Sequence, residues 1–348
     1  MQHETRLDGL SKSRGLKLQA MTWLLAIIWL PAMIWLVAGC ADKDMLLEPD
    51  CHICYTYSIL YQESQPLHEL HDVFFVDSLN GWAAGNGGIL LHSTDGGANW
   101  SAQDSGRVNT LYSVCFSGID SGWAVGSSGI LLQTTDTGNS WSASQITSRH
   151  LTGVFFCDDQ SGWAVGDTVI LRTTNGGESW QTYASTDVTI PYLRAVSFAG
   201  PTHGWAVGHE GKILHTDDGG GSWLPQSSGQ GNALLDVAFV DPNNGWAVGV
   251  GGVIIHTTNG GQSWSQQYVG TAAVLHGVAF WDINNGVVVG DDGLVFTTLN
   301  GGGHWELQTS ETTNTLRDVA YLDSHRFCIA GDFGTVRITR TEEECCEE

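Results

Sequence analysis

Seven side chains occupy one fixed place in a repeating unit, and together they carry recognition chemistry. His71, Tyr112, Thr152, Arg194, Leu235, His276 and Arg317 each directly follow a leucine, and successive members are 40 to 42 residues apart. Two guanidinium groups, two imidazoles and a phenol gathered at one mouth would present paired N–H donors and aromatic faces to a carboxylate-bearing ligand. Arg107 and Arg149 lie in connections just ahead of two of these leucines and extend the set. The ligand classes this predicts are a protein segment or an acidic glycan. A position that varies within an otherwise constant repeat is where such proteins concentrate specificity. The competing reading is that these are ordinary strand-entry residues.

Bond-making chemistry is harder to find. The carboxylate pairs Asp158/Asp159 and Asp291/Asp292 are sequence neighbours in turns, where solvated acids are the rule. Glu178 sits inside a turn motif, Glu306 follows a packing tryptophan, and Glu210 has no tyrosine neighbour. His209, His215, His256 and His304 are scattered through separate repeats and read as structural or solvated. No Ser-His-Asp set, metal-ligand spacing or phosphate loop stands out, so no catalytic residue, metal or cofactor is assigned.

The elements that must position the seven side chains follow from the repeat. Gly-Trp-Ala-Val-Gly stands at Gly122–Gly126, Gly162–Gly166, Gly204–Gly208 and Gly245–Gly249, with relatives at Gly81–Gly85, Gly286–Gly290 and Phe327–Gly331. Each copy is preceded by a Leu-x-x-Val-x-Phe-type run and followed by an apolar run, a sharp turn and a further short strand. Alternation and β-branched content argue for strands. Four strands in about 40 residues is the signature of a propeller blade. The sharp turn reads Ser/Thr-x-Asp/Asn-x-Gly-x-x-Trp and occurs six times, from Ser93–Trp100 to Thr298–Trp305. Its Asp or Asn is expected to accept backbone N–H groups two residues on, and its Trp to be buried between sheets. Asn replaces Asp in three of the six copies, which argues against a calcium role.

The expected fold is therefore all-β: a seven-bladed β-propeller of four-stranded antiparallel blades, the last blade closed by an N-terminal strand. The seventh repeat has runs at Leu316–Tyr321, Phe327–Gly331 and Gly334–Thr339 but neither the turn motif nor its Trp. Ile59–Ser64, which matches the fourth strands in its Gln and Ser, is the candidate to complete it. The predicted organisation is 1–39 leader, 40–57 tether, 58–340 propeller and 341–348 acidic tail.

The leader has Arg6, Lys12, Arg14 and Lys17 ahead of an apolar run over 18–38, the pattern of an export signal. Its end, Leu36-Val37-Ala38-Gly39-Cys40, resembles a bacterial lipobox. That resemblance implies cleavage before Cys40 and a lipid on its thiol, hence a chain tethered in the cell envelope: the periplasmic face of the outer or inner membrane, or the cell surface; a monomer is expected. The competing reading keeps 21–38 as a membrane helix. After cleavage 10 basic residues face 35 acidic ones, a net charge of about −25, which excludes nucleic-acid binding.

Of eight cysteines, Cys115, Cys157 and Cys328 fall on strands and are expected to be buried free thiols. Cys51 and Cys54 near one end, and Cys345 and Cys346 at the other, would meet at one corner if the ring closes as described. In an exported protein these are disulfide candidates; a zinc site using the four, with His52, is the rival.

The repeat is similar to that of the photosystem II stability/assembly factor family, over roughly residues 58–340. The resemblance implies a non-catalytic seven-bladed scaffold that holds a protein partner, one of the envelope or a membrane in this case. Family members use an arginine-rich surface, whereas the arginines here form no run. The same turn also occurs in sialidase-like enzymes, away from their active sites. A carbohydrate-binding or glycosidase propeller is accordingly the alternative.

Overall fold

The computed structural model describes the backbone of residues 53–62, 69–183 and 189–344, with side chains over 69–183 and 189–334. All of these fall in one compact unit, residues 35–348. Cys40, Cys51, Cys345 and Cys346 lie outside the described residues, and of Cys54 only the backbone is described, opposite Glu343.

Six blades are each made of four consecutive antiparallel strands: blade 1 over 70–103, blade 2 over 111–145, blade 3 over 151–182, blade 4 over 193–227, blade 5 over 234–267 and blade 6 over 275–308. The expectation of seven equivalent blades is corrected to six. The remaining sheet is a composite of Leu316–Tyr321, Arg326–Gly331 and Gly334–Glu344, with Ile53–Gln62 from the far end of the chain as its outer strand. The physical reason lies in the last repeat, which has no turn motif to reverse the chain into a fourth strand of its own. The outer strand also differs from the expected Ile59–Ser64: it starts at Ile53 and ends at Gln62. Its partner runs on to Glu344, so that pairs from Tyr57–Arg340 to Ile53–Glu344 extend past the end of the neighbouring strand, whose last partner is Thr339.

The blades lock together through the pentapeptide. The Trp of each copy is buried and stacks on the inner-strand Phe of the following blade: Trp82 on Phe116, Trp123 on Phe156, Trp163 on Phe198, Trp205 on Phe239 and Trp246 on Phe280, with ring centroids 3.5–3.7 Å apart. Four of these indoles also donate Nε1–H to a turn carbonyl of the next blade, as Trp123 does to Gly176 at 2.9 Å and Trp246 to Gly301 at 3.1 Å. The pentapeptide Trp is thus the main interblade staple, joined in two blades by the turn-motif Trp: Trp141 donates to Gln103 and Trp305 to Gln267 of the preceding blade, at 3.2 and 3.1 Å. The turn-motif Trp meets its own blade's Phe edge-on, as Trp141 meets Phe116, and four of the six are only half-buried. Close approach explains the glycines that bracket the pentapeptide. A Cβ on Gly204 would enter the Phe198 ring, and one on Gly208 would strike the carbonyl oxygen of Tyr192.

The six turn motifs share one geometry, and it corrects the expected contact. In blade 2 the Thr134 hydroxyl accepts from Gly138 N–H at 2.9 Å, and Asp136 accepts from Ser140 N–H, four residues on, at 2.9 Å. Asn175 accepts from Ser179 N–H in the same way, at 3.0 Å. A single side-chain oxygen suffices, so Asp and Asn interchange. Side-chain and backbone hydrogen bonds from Ser140 hold the Asp136 carboxyl below its usual range.

Candidate functional site

The inner strands of adjacent sheets pack side by side around a central channel, Leu70–Phe75 against Leu316–Tyr321 included. Their first residues surround a cavity of about 210 Å³ lined by all seven predicted slot residues, His71, Tyr112, Thr152, Arg194, Leu235, His276 and Arg317. Arg107 and Arg149 do not line it; both are exposed in the connections outside.

The local cause is a β-bulge repeated in every sheet. Leu70 pairs with Gly85 and Asp72 with Ala84, so His71 is the extra residue between them. The same shift skips Tyr112, Thr152, Arg194, Leu235, His276 and Arg317. A bulge frees a residue from the ladder and re-aims its side chain, and bulges gather beside functional sites.

A second ring stands outside the first, and sequence reasoning missed it. It consists of the residues directly after each closing glycine. His71 Nε2 lies 2.9 Å from Asn86 Oδ1, His276 Nε2 2.9 Å from Asp291 Oδ1, and Arg317 Nε donates to Asp332 Oδ1 at 2.6 Å. Asn86 donates to Glu69 at 2.7 Å, and Arg317 reaches the same carboxylate at 3.7 Å. Burial lowers the His71 pKa; the Asn86 hydrogen bond only partly opposes this, and the nearby Arg317 charge adds to the lowering. Each partner sits 15 residues after its slot residue, a spacing visible in the sequence once the pairing is known. The turns behind this ring are strained: Ser128, Thr168, Glu210, Asp292 and Phe333, at equivalent places, have φ of 55–62°.

These partners make the mouth asymmetric. Arg317 and His276 are engaged by acids, whereas Arg194 is exposed and has no ion-pair partner among the described residues. Around it stand half-buried Thr152 and Tyr112, the latter with its ring centroid 5.5 Å from His71 and 6.5 Å from His150. Tyr192, 51% exposed, pairs with His209 at 5.6 Å. His209 therefore belongs to the rim. His215 and His256 are structural: His215 packs tilted against Trp205 at 4.9 Å and His256 stacks on Trp246 at 4.5 Å.

Below the slot lies a third ring, at the next inner-strand position. Asp72 accepts from Val114 N–H at 2.7 Å, Ser113 from Val154 N–H at 3.2 Å, Asp236 from Val278 N–H at 2.8 Å and Asp318 from Val73 N–H at 2.9 Å. Each bond ties one sheet to the next, and the last joins the composite sheet to blade 1. Burial pushes the Asp236 carboxyl up to about 7. Asp318 is driven well above the carboxylate range by burial, with the Asp72 charge and a hydrogen bond to Asp72 adding to it. Among the described residues no group of His, Cys, Asp and Glu is arranged to hold a metal ion. Cys115 and Cys328 are buried thiols, while Cys157 is half-buried.

Radial four-stranded sheets around a channel, with one bulged side chain per sheet at its mouth, define a β-propeller with an axial binding site. The chain matches the sequence family described as photosynthesis system II assembly factor YCF48, over residues 59–153, 144–228 and 228–306, and it belongs to that family. Among solved structures it is similar to YCF48 bound to D1 peptide, at 21% identity over 82% of this chain and 97% of that one, with a TM-score of 0.69. YCF48 from Cyanidioschyzon merolae gives 20% identity, 80% and 98% coverage and a TM-score of 0.66. Virginiamycin B lyase from Staphylococcus aureus gives 11% identity, 82% and 99% coverage and 0.69. At these identities the likeness is one of fold. Comparison with curated protein sequences gives no match.

Proposed function

We propose that this chain is a non-catalytic scaffold that holds an extended segment of a membrane-protein partner across the channel mouth, from a position in the cell envelope secured by a lipid on Cys40. The observation that carries the reading is the convergence of seven bulge-borne side chains on one cavity, with Arg194 left free to pair with a carboxylate. Family membership supports it, as does the fold shared with a YCF48 that was captured with a D1 peptide. The basic and aromatic mouth on an acidic body favours a segment bearing Asp, Glu or a C-terminal carboxylate. The channel carboxylates offer a glycosidase little: Asp72, Asp236 and Asp318 each hold a backbone N–H of a neighbouring sheet.

The test is affinity isolation of the lipidated full chain from its native envelope, with mass spectrometry of what accompanies it. The wild type is expected to bring down a membrane protein, and Arg194→Ala to reduce its recovery about tenfold, the loss of one charge-assisted contact of ~1.4 kcal/mol. Equal recovery would show that the mouth is not the binding surface. Turnover of chromogenic glycosides by the wild type would overturn the non-catalytic reading.

A further inference from the structure

The face opposite the mouth carries its own pattern. It is formed by the turns that join first to second strands and by the Ser/Thr-x-Asp/Asn turns. Its apolar tips are unevenly placed. In blade 6 Trp281 is 48% exposed, Ile283 52% and Leu299 41%. These three form one patch: the Trp281 ring lies 6.3 Å from that of Tyr321, Tyr321 and Leu299 line one crevice, and the turn holding Ile283 packs on the turn after Leu299. On the other side of the composite sheet the tips of blades 1 and 2 carry exposed Leu79 and Ile119. In blades 3, 4 and 5 the same tips carry Gln160, Thr202 and Asn243, with exposed Pro201 and Pro242 beside the last two, and exposed Leu224 stands apart at the start of blade 4's outer strand. The apolar sector is therefore centred on the composite sheet.

The chain enters the propeller at that place and on that side. The paired ends of Ile53–Gln62 and Gly334–Glu344 run past Arg326, where the second strand of the composite sheet begins, and so emerge on the turn-motif side. Ile53–Gln62 is the outermost strand of its sheet, so the ribbon leaves at the circumference, beside the face rather than across it. Ile53 lies thirteen positions after Cys40. At full extension these span about 45 Å at most, which keeps this side of the propeller near any membrane that holds the lipid.

We propose that the turn-motif face, in the sector of blades 6, 1 and 2 around the composite sheet, rests on a lipid bilayer surface, so that the channel mouth opens away from the membrane. The inference shares with the proposed function only the lipid on Cys40; it does not depend on what the mouth binds. Trp281 and Tyr321 have the amphipathic rings that settle at headgroup level. The capped aspartates of these turns, Asp77, Asp282 and Asp323, each accept backbone N–H groups and carry negative charge, so the surface that fits is zwitterionic.

The test is hydroxyl-radical footprinting of the lipidated full chain in phosphatidylcholine vesicles, read by mass spectrometry. The oxidation of Trp281 is measured against that of Tyr268, which is 79% exposed and lies beyond the end of an outer strand near the mouth side. The comparison protein is the same chain with Ile283→Glu and Leu299→Glu in the same vesicles, checked for fold by circular dichroism. The wild-type ratio is expected to be at least fivefold lower than that of the variant. Equal ratios overturn the proposal. Protection of Trp281 only when a partner membrane protein is added to the vesicles also overturns it and makes the patch a protein-docking surface. Peptide capture at the mouth, measured separately, is unaffected by either result.

Discussion

Replacing Asp236 by Asn should flatten the pH dependence of stability in a calculable way. In the fold both carboxylate oxygens accept backbone N–H groups, from Val237 and from Val278 of the next blade, each at 2.8 Å. Burial raises the carboxyl from 3.8 to about 7, and the Asp72 charge adds to it. The sign follows from proton counting. Between pH 4 and 7 the folded state keeps a proton that the unfolded chain has released, so stability falls as pH rises through that window and levels off above it. A rise from 3.8 to about 7 corresponds to about 4 kcal/mol lost across the window. Asn cannot titrate but offers one acceptor oxygen where Asp offers two, at a cost of about 1 kcal/mol. The variant should therefore be less stable than wild type by about 1 kcal/mol near pH 4 and more stable by about 3 kcal/mol at pH 8. Urea unfolding followed by tryptophan fluorescence at half-unit pH steps measures both curves. Two parallel curves, with a constant difference from pH 4 to 8, would refute the placement of a proton on Asp236.

Four further outcomes are expected. Trp246→Ala removes the 3.5 Å stack on Phe280 and the hydrogen bond to Gly301, and should lower stability by about 3–5 kcal/mol in thermal unfolding. Thr168→Gly relieves a β-branched residue at φ 55° and should raise stability by about 1 kcal/mol in the same assay. Gly208→Ala drives a methyl group into the Tyr192 carbonyl and should abolish accumulation of folded protein, measured by circular dichroism of the purified fraction. Alkylation of the native protein should modify half-buried Cys157 slowly, since burial and the Asp158 charge raise its thiol, whereas Cys115, whose thiol burial pushes up to about 12, reacts only after unfolding; peptide mass spectrometry distinguishes the two.

The sequence carried the strand order of each repeat, the six turn motifs and the slot residues, because all depend on contacts local in the chain. Leu111–Phe116, Gly122–Gly126 and their counterparts lie where alternation and glycine place them. What it did not carry is what passes between repeats. The pentapeptide Trp stacks about 34 residues ahead, on a Phe whose periodicity explains it equally well within its own blade. The third ring is hidden because its residues, Asp72, Ser113, Gly153, Ala195, Asp236, Gly277 and Asp318, share no chemistry. Its role appears only when a side chain meets the N–H of the next sheet. Arg107 and Arg149 stand exposed on the connections that adjoin the slot and do not line the cavity, and nearness in sequence does not tell these two placements apart. The six-blade count and the longer outer strand follow from the missing turn in the last repeat, which sequence alone reads as a defect rather than as a different kind of sheet.

The composite sheet pairs Ile53 with Glu344, residues that have all six blades between them in the chain. In a chain made from its N-terminus, the outer strand appears before all six blades and its neighbour after them. Nothing can zip the circle until the strand Gly334–Glu344 has been made, and for that interval six finished sheets present two bare edges. A protein built this way has its own proofreading step: a product that stops before Gly334 cannot fasten, and stays open to proteolysis.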